Sequence, residues 1–304
     1  FLNNAEFAPQ LGFDRSALLQ DRSTRRKYDL PAELRMPKLE DESARDRNYV
    51  GNVDWVMSDI TVTTRADQVP IAPGKLVSDV TEGYRRTARF KSTNPILGFF
   101  SVQSAEYAVT KREHPGIDME IYHHPTHGFN AERMLDAMAV SLDYFQENFG
   151  PYQFDYARVI EFPGYATFAQ AFAGTVPYSE RIGFIANTAD EDDIDYVTYV
   201  TAHEYGHQYW AHQLISAYMQ GGTVMVETMA QYSALMVMKE IYGEEQIRRF
   251  LKYELDAYLS SRGSEAIEEL PLNRVENQGY IHYRKGAVVM LSLIHISEPT
   301  RPSS

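Results

Sequence analysis

The sequence of 304 residues contains no cysteine, has fewer basic than acidic residues and has no long apolar run. Without cysteine no disulfide can form, and the compartment stays open because periplasmic and cytosolic proteins can both lack disulfides. A net charge of −13 argues against nucleic acid or an anionic membrane surface as the main partner. The absence of any stretch of 18 or more apolar residues predicts that this segment spans no membrane.

Both ends of the chain are unusual. It begins with Phe1 rather than methionine and shows no signal peptide, which predicts a piece of something longer. At the other end, residues 291–304 resemble a translated sequencing-library adapter more than the continuation of a helix. We therefore expect 291–304 to be a non-native tail without a role in fold or function.

Between the ends, the first half of the chain is dominated by β patterns. A hydrophobic content of 44% is typical of a soluble globular protein with a sizeable core. Residues 1–50 are polar with little periodicity, which predicts an irregular segment. From 51 to 122, short alternating stretches predict a β-rich domain. Its predicted strands are 60–64, 87–91, 98–102 and 106–109.

From residue 123 to 290 strand and helix patterns mix, so we predict an α+β fold in which a mixed α/β catalytic domain follows the β-rich part. Asn130 is predicted to cap a helix that ends at Gly150. The acidic run 190–193 is typical of a helix start. The other predicted elements are strands at 158–162 and 181–185, a helix from near Thr223 to Gly243, and a helix from about 245 to 262.

One five-residue stretch, His203-Glu204-Tyr205-Gly206-His207, fits the His-Glu-x-x-His pattern of zinc hydrolases. On a helix, His203 and His207 lie on one face a turn apart, so both imidazoles can reach one metal ion. Glu204 can then meet a metal-bound water rather than the metal itself. The alternative interpretation is a pair of satisfied core histidines.

A third ligand candidate lies farther along the chain. Glu227 is about one turn into the helix predicted from Thr223, in a run otherwise rich in Met, Val and Ala. A carboxylate buried there without a partner is costly, so we expect a cation beside it. Zinc held by His203, His207 and Glu227 would supply that cation, because catalytic zinc has three protein ligands and leaves a fourth position to water.

The remaining histidines are interpreted as residues that do not bind the metal. His212 is one residue short of the third ligand position of the extended zinc motif, which Gln213 occupies. His123, His124 and His127 surround a proline in a predicted loop or strand end. A second metal site is the alternative for these three, and polar surface residues are the favoured interpretation.

The order of parts from residue 129 to 290 resembles peptidase family M1, the aminopeptidase N type of gluzincin. Members carry His-Glu-x-x-His, a zinc-binding Glu farther on and then a Tyr-x-Lys-Gly segment. These correspond here to 203–207, Glu227 and 283–286. The resemblance implies a thermolysin-like catalytic domain at 123–290, preceded at 51–122 by part of the family's saddle-like β domain.

The resemblance also implies the roles of the site residues. One Zn²⁺ would be held by His203, His207 and Glu227, with Glu204 as general base. Tyr283 would donate a hydrogen bond to the oxyanion, and a packed aromatic side chain is the alternative for that residue.

Two departures from the family pattern bear on these expectations. Nineteen residues separate His207 from Glu227, where the family usually has eighteen, and we expect an insertion around Gly221–Gly222 to account for the difference. The exopeptidase signature Gly-x-Met-Glu-Asn, whose Glu binds the substrate's free amine, aligns with residues 177–181. Glu180 keeps the carboxylate and is the candidate amine-binding residue, although it could equally be a surface acid.

The sequence thus predicts a zinc-dependent metallopeptidase, of aminopeptidase type, that acts on peptides. The alternative is a catalytically weak or inactive zinc-binding module of a membrane transport protein. It follows from the eroded amine-binding signature and from a softer resemblance to bacterial ABC-type permeases that carry such a domain at their C-terminus.

Overall fold

The computed structural model describes residues 2–8, 19, 22–31, 35–51, 53–190, 193–263 and 268–296. Regular structure among the described residues before position 51 is short. It consists of strand β1 (Leu2–Asn3), helix α1 (Asn4–Phe7), helix α2 (Arg22–Lys27) and a 3-10 turn at Glu42–Ala44. β1 pairs with a strand about a hundred residues later, so the N-terminal segment lies against the β-rich part.

The β-rich part contains three small antiparallel sheets. Its strands are β2 (Trp55–Val56), β3 (Asp59–Arg65), β4 (Val69–Ile71), β5 (Lys75–Glu82), β6 (Arg85–Lys91), β7 (Ile96–Leu97) and β8 (Ser101–Ala105). The sheet orders are β3-β6-β5, β1-β8-β4 and β2-β7. The strands predicted at 60–64 and 87–91 are confirmed. The strand predicted at 98–102 is wrong over its first three residues, which instead connect β7 to β8.

A four-stranded mixed sheet links this part to the helices. Its strands are β9 (Ala108–His114), β10 (Ile117–His123), β11 (Tyr156–Phe162) and β12 (Thr175–Ser179), in the order β12-β11-β10-β9. β10, β11 and β12 run parallel, so their C-terminal ends meet at one edge of the sheet. The division expected between residues 122 and 123 therefore falls inside one sheet, and the predicted strand 106–109 reaches only the start of β9.

Helices cover this sheet and form the rest of the core. They are α3 (Ala131–Phe149), α4 (Tyr196–Gly206), α5 (Met229–Arg262) and α6 (Gly286–Leu291). The apolar stripe of α3 is fully buried, at Met134, Leu135, Met138, Leu142 and Phe145. One hydrophobic cluster joins α3, the sheet, α4 and α5. The predicted α+β fold, with β sheets before a helical catalytic part, is confirmed.

Three local predictions are corrected by long-range contacts. Residues 181–185 form turns rather than a strand, because β12 already fills the place beside β11 and Phe184 is buried from a turn. Asn130 precedes α3 without capping it, since its amide donates to the carbonyls of Gly183 and Ala186 at 2.7 and 3.0 Å. Helix α4 begins after the acidic run, and Asp195 caps it.

Two features shape the helices around the site. At Gly243 a φ of 82° and ψ of 170° kink α5 where the sequence predicted the helix to end. Wider π turns occur at Val224–Thr228, Tyr280–Lys285 and Ser292–Ile296. The last of these continues α6 into the expected non-native tail, of which 297–304 lie outside the described residues.

In the described part of the chain no helix is both long and apolar enough to cross a membrane.

Candidate functional site

Helix α4 carries the first three candidate residues into the interior. Asp195 caps its start by accepting a hydrogen bond from the Thr198 backbone nitrogen at 3.1 Å. The helix is buried on nearly all sides, between α3 and α5. The polar side chains of His203 and Glu204 therefore need partners inside the protein.

The structure brings His203, His207 and Glu227 to one point. The Nε2 atoms of the two histidines lie 3.0 Å apart. Glu227 Oε2 is 3.6 Å from His203 Nε2 and 3.3 Å from His207 Nε2. Ligands arranged tetrahedrally around zinc at about 2.0–2.1 Å are separated by about 3.3 Å. The three atoms thus fit one zinc ion, and the buried Glu227 Oε2 has no hydrogen-bond donor of its own.

Partners behind the imidazoles orient them. His207 Nδ1 donates a hydrogen bond to the Trp210 carbonyl at 3.1 Å, so Nε2 is the ring nitrogen that faces the group and would bind a metal ion in place of its proton. Beside His203 lies Gln231. The Gln231 amide donates to the Tyr199 hydroxyl at 2.9 Å and to the fully buried Glu254 carboxylate at 2.8 Å.

The electrostatics of the group favour positive charge. Burial favours the neutral acid of Glu227, but the two histidines outweigh it and hold its pKa well below the usual range. Burial also opposes protonation of His207, yet the Glu227 and Glu204 carboxylates raise its pKa to about 9. The surroundings of His207 therefore attract a cation, which is what a divalent metal site requires.

Glu227 reaches the histidines from a π turn. The turn at Val224–Thr228 precedes α5 without interrupting it and holds one more residue than an α turn. Besides the insertion expected around Gly221–Gly222, this wider turn is a second place that can accommodate the residue by which the spacing from His207 exceeds the family pattern. Gly206 lets α4 approach α5, because a Cβ there would lie 3.2 Å from the Ala230 backbone.

Glu204 and Tyr283 complete the group. Burial raises the pKa of Glu204 to about 7, an effect that the nearby His207 and the Ala171 backbone offset only in part. The Tyr283 ring lies 5.8 Å from the His203 ring, and its hydroxyl contacts the Glu227 carboxylate. Burial and the nearby carboxylates raise the pKa of Tyr283 well above its usual range, so the hydroxyl keeps its proton.

Comparison with known proteins identifies the family. The peptidase family M1 domain matches residues 133–299, more than half of the 304 residues. The chain belongs to peptidase family M1. No curated protein sequence matches it.

Solved structures of an M1 enzyme share the fold. The M1 zinc metallopeptidase from Deinococcus radiodurans matches with a TM-score of 0.57 and 18% identity over 79% of this chain and 52% of that chain. A mutant of that enzyme gives 0.57, and a mutant bound to a Tyr-Ser-Ala substrate gives 0.55, both at 18% identity over 79% of this chain. They cover 53% and 52% of the respective solved chains, so this M1 chain spans about half the length of these relatives.

A cavity of about 130 Å³ opens beside the metal group of this M1 domain. Two of its sides come from segments that carry no recognisable functional motif. These are Tyr49 in the irregular N-terminal segment, and Leu97 and Phe99 around β7. Its remaining lining residues are Val50, Gln170, Ala171, His207, Ala211, His212, Val226 and Glu227. His212 lines the cavity without joining the metal group, as predicted, and its Nε2 contacts the Ala171 carbonyl at 3.2 Å.

Glu180 is placed elsewhere. Its Oε1 accepts a hydrogen bond from the Gly164 backbone nitrogen at 2.6 Å, and its Oε2 lies 3.9 Å from His127 Nδ1. It does not line the cavity beside Glu227. The structure therefore brings together five of the six predicted site residues and leaves Glu180 in a separate cluster.

Proposed function

We propose that this M1 domain is a zinc-dependent peptidase. The observation that carries the proposal is the convergence of His203, His207 and Glu227 to within 3.6 Å of one another, near the Glu204 carboxyl and the Tyr283 ring. A structural zinc site usually saturates the ion with four protein ligands. Three ligands beside an open cavity instead favour a catalytic site.

Each residue of the site has a separate role in peptide hydrolysis. Zinc, when bound, polarises the scissile carbonyl and lowers the pKa of a bound water to about 7. Glu204 then accepts the proton of the attacking water and passes it to the leaving amine, a role that suits a carboxyl whose pKa is raised to about 7. Tyr283, protonated and beside Glu227, donates a hydrogen bond to the developing oxyanion.

The test is the Glu204→Gln variant, measured with zinc on aminoacyl and internally quenched peptide substrates. We expect kcat to fall about 10²- to 10⁴-fold while bound zinc stays unchanged. Glu240→Gln, at an exposed position of α5, is the matched control and should keep full activity. Undiminished turnover in Glu204→Gln would contradict the proposal.

The aminopeptidase type is the finer part of the proposal, and family membership supports it. Peptides with a free amino terminus should then be cleaved faster than their acetylated counterparts. If Glu180 binds the amine, Glu180→Gln should remove this preference by raising KM for free peptides alone. An unchanged preference would exclude Glu180 from that role, consistent with its distance from the cavity.

The second candidate is a zinc-binding module without turnover, as part of a membrane transport protein. It is favoured by one observation: the only carboxylate lining the described cavity is Glu227, which the metal would use, so none is left for a substrate amine. Zinc binding would not distinguish the two candidates. Zinc-loaded protein that hydrolyses none of the peptide substrates, with Glu204→Gln as reference, would favour the module.

A further inference from the structure

A second cluster of metal-ligating side chains lies outside the proposed active site. Glu161 is the penultimate residue of β11, Glu180 directly follows β12, and His127 lies four residues after β10. Because β10, β11 and β12 are parallel, the three side chains converge at the edge where the strands end. Their ligand atoms lie within 4.8 Å of one another.

Backbone groups orient both carboxylates in the same way. Glu161 Oε2 accepts a hydrogen bond from the His124 nitrogen at 2.5 Å, and Glu180 Oε1 accepts one from the Gly164 nitrogen at 2.6 Å. Each carboxylate thereby turns its other oxygen towards His127 Nδ1, at 2.5 Å from Glu161 and 3.9 Å from Glu180. Gly164 leaves room for two side chains here, since a Cβ there would lie 2.6 Å from Arg181 Nε and 2.9 Å from Glu180 Oε1.

The cluster has more negative charge than its neighbours neutralise. The Glu161 side chain is only 5% exposed, and in the described part of the chain no lysine or arginine nitrogen lies within 4.0 Å of Glu161 or Glu180. His127 pairs with both carboxylates, and the Arg181 side chain lies near Gly164 but outside that distance. Two carboxylates and one imidazole in a partly buried place are a donor set that first-row divalent metals prefer.

We propose that His127, Glu161 and Glu180 form a second metal site, which takes a divalent first-row transition ion such as Zn²⁺ or Mn²⁺. The His127 side chain is 23% exposed and the Glu180 side chain 27%, so an ion can enter from solvent. His127 is the last residue of a turn at residues 124–127, and a shift of about 1 Å from Glu161 towards Glu180 would bring both of its distances to the carboxylates near the 3.3 Å that a tetrahedral ion needs.

Metal content of the purified full chain is the first measurement. After loading with Zn²⁺ and removal of the excess, wild type should retain about two equivalents by plasma mass spectrometry, one for each site. The double variant His203→Asn, His207→Asn and the single variant Glu180→Gln should each retain about one. Bound Mn²⁺, followed by electron paramagnetic resonance in the double variant, should be released when Glu180→Gln is added.

Two further variants keep the test independent of folding. Gly164→Ala alters no ligand but forces the side chains of Arg181 and Glu180 to move, and it should weaken Mn²⁺ binding at least tenfold in the double-variant background. His114→Asn, which removes an imidazole paired with the single carboxylate of Asp143, should change nothing. Circular dichroism verifies that each variant is folded.

The outcomes separate this site from the proposed function. One equivalent in wild type, lost entirely in the double variant, would overturn the second site. It would show that His127 and Glu161 form only a hydrogen-bonded pair. Peptidase activity enters none of these measurements, so an inactive protein that binds two ions would contradict the proposed function and leave the second site standing.

Discussion

At the scale of single residues, surroundings decide what each carboxyl can do. Glu204 is buried, and burial raises its pKa to about 7, which suits proton transfer near neutral pH. Glu227 is also buried, but two imidazoles hold its pKa low and keep it charged, which suits a ligand. The same residue type thus serves two roles within one site because the neighbouring charges differ.

Substitution of Tyr283 tests its predicted role as a hydrogen-bond donor to the oxyanion. Tyr283→Phe removes one donor to the oxyanion and leaves the ring beside His203 in place. We expect kcat to fall about 10²- to 10³-fold with little change in KM or bound zinc. Steady-state kinetics and metal analysis measure both, with the exposed Tyr84→Phe as control. Equal losses in kcat and zinc content would instead show that Tyr283 supports the metal group.

At the scale of elements, departures from regular helix geometry position the site. A π turn delivers Glu227 at the start of α5, and a second π turn contains Tyr283. Such turns are frequent at functional sites, because they rotate side chains that a regular helix would direct elsewhere. Gly206 adds the close contact of α4 with α5 that brings both elements to the same metal group.

Substitution of Gly243 in helix α5 is predicted to lower the stability of the protein. Its φ of 82° and ψ of 170° belong to a region that other residues avoid, although there is space for a Cβ. Gly243→Ala should therefore lower the free energy of unfolding by about 1–3 kcal/mol in urea titrations. Gly263→Ala is the matched control, because Gly263 also has space but a helical φ of −67°. Equal effects of the two substitutions would contradict the backbone explanation.

In the whole molecule, the N-terminal segment forms hydrogen bonds with the helical part of the chain. Arg35 donates to the Glu276 carboxylate at 2.8 Å, and the Gln220 amide donates to the same carboxylate at 2.8 Å. Farther along, the Tyr49 nitrogen donates to the Ser216 carbonyl at 2.9 Å. These bonds hold Tyr49 in the wall of the cavity beside the metal group.

The contacts of Glu276 predict a pH-dependent stability. Burial favours the neutral acid, but Arg35, Gln220 and the Met36 N–H outweigh it and lower the pKa of Glu276. A lowered pKa in the folded state contributes stability above the unfolded pKa, and this contribution disappears as pH falls through the folded pKa. Glu276→Gln should therefore cost about 1–2 kcal/mol at pH 7, a value kept small by the half-exposed Arg35, and progressively less in acid.

Urea unfolding of wild type and Glu276→Gln across a pH series measures this difference. The control is Glu42→Gln, whose partner Arg45 is exposed, and it should have no measurable effect at any pH. A deficit for Glu276→Gln that stays constant down to strongly acidic pH would show that shape rather than charge fixes the segment.

Features that depend on neighbours along the chain could be predicted from the sequence. The period of α3, the alternation of β3 and β6, and the spacing of His203 and His207 on one helix face are local patterns, and the structure has them. Glu227 stood out as a carboxylate in an apolar helical run, whereas only the likeness to a known family identified Tyr283. The strand predicted at residues 181–185 is wrong, because apolar alternation indicates that residues are buried but does not say whether they lie in a strand or in a turn.

Contacts between distant residues, in contrast, follow from how the segments pack in three dimensions. Tyr49 reaches the cavity through contacts with residues more than 160 positions away, and no local pattern predicts such a contact. Glu180 joins His127 and Glu161 because three parallel strands end at one edge, whereas alignment to a family signature predicted a role in amine binding. The physical reason is that side-chain chemistry is a property of the sequence, while pairing and packing of distant segments determine its partners.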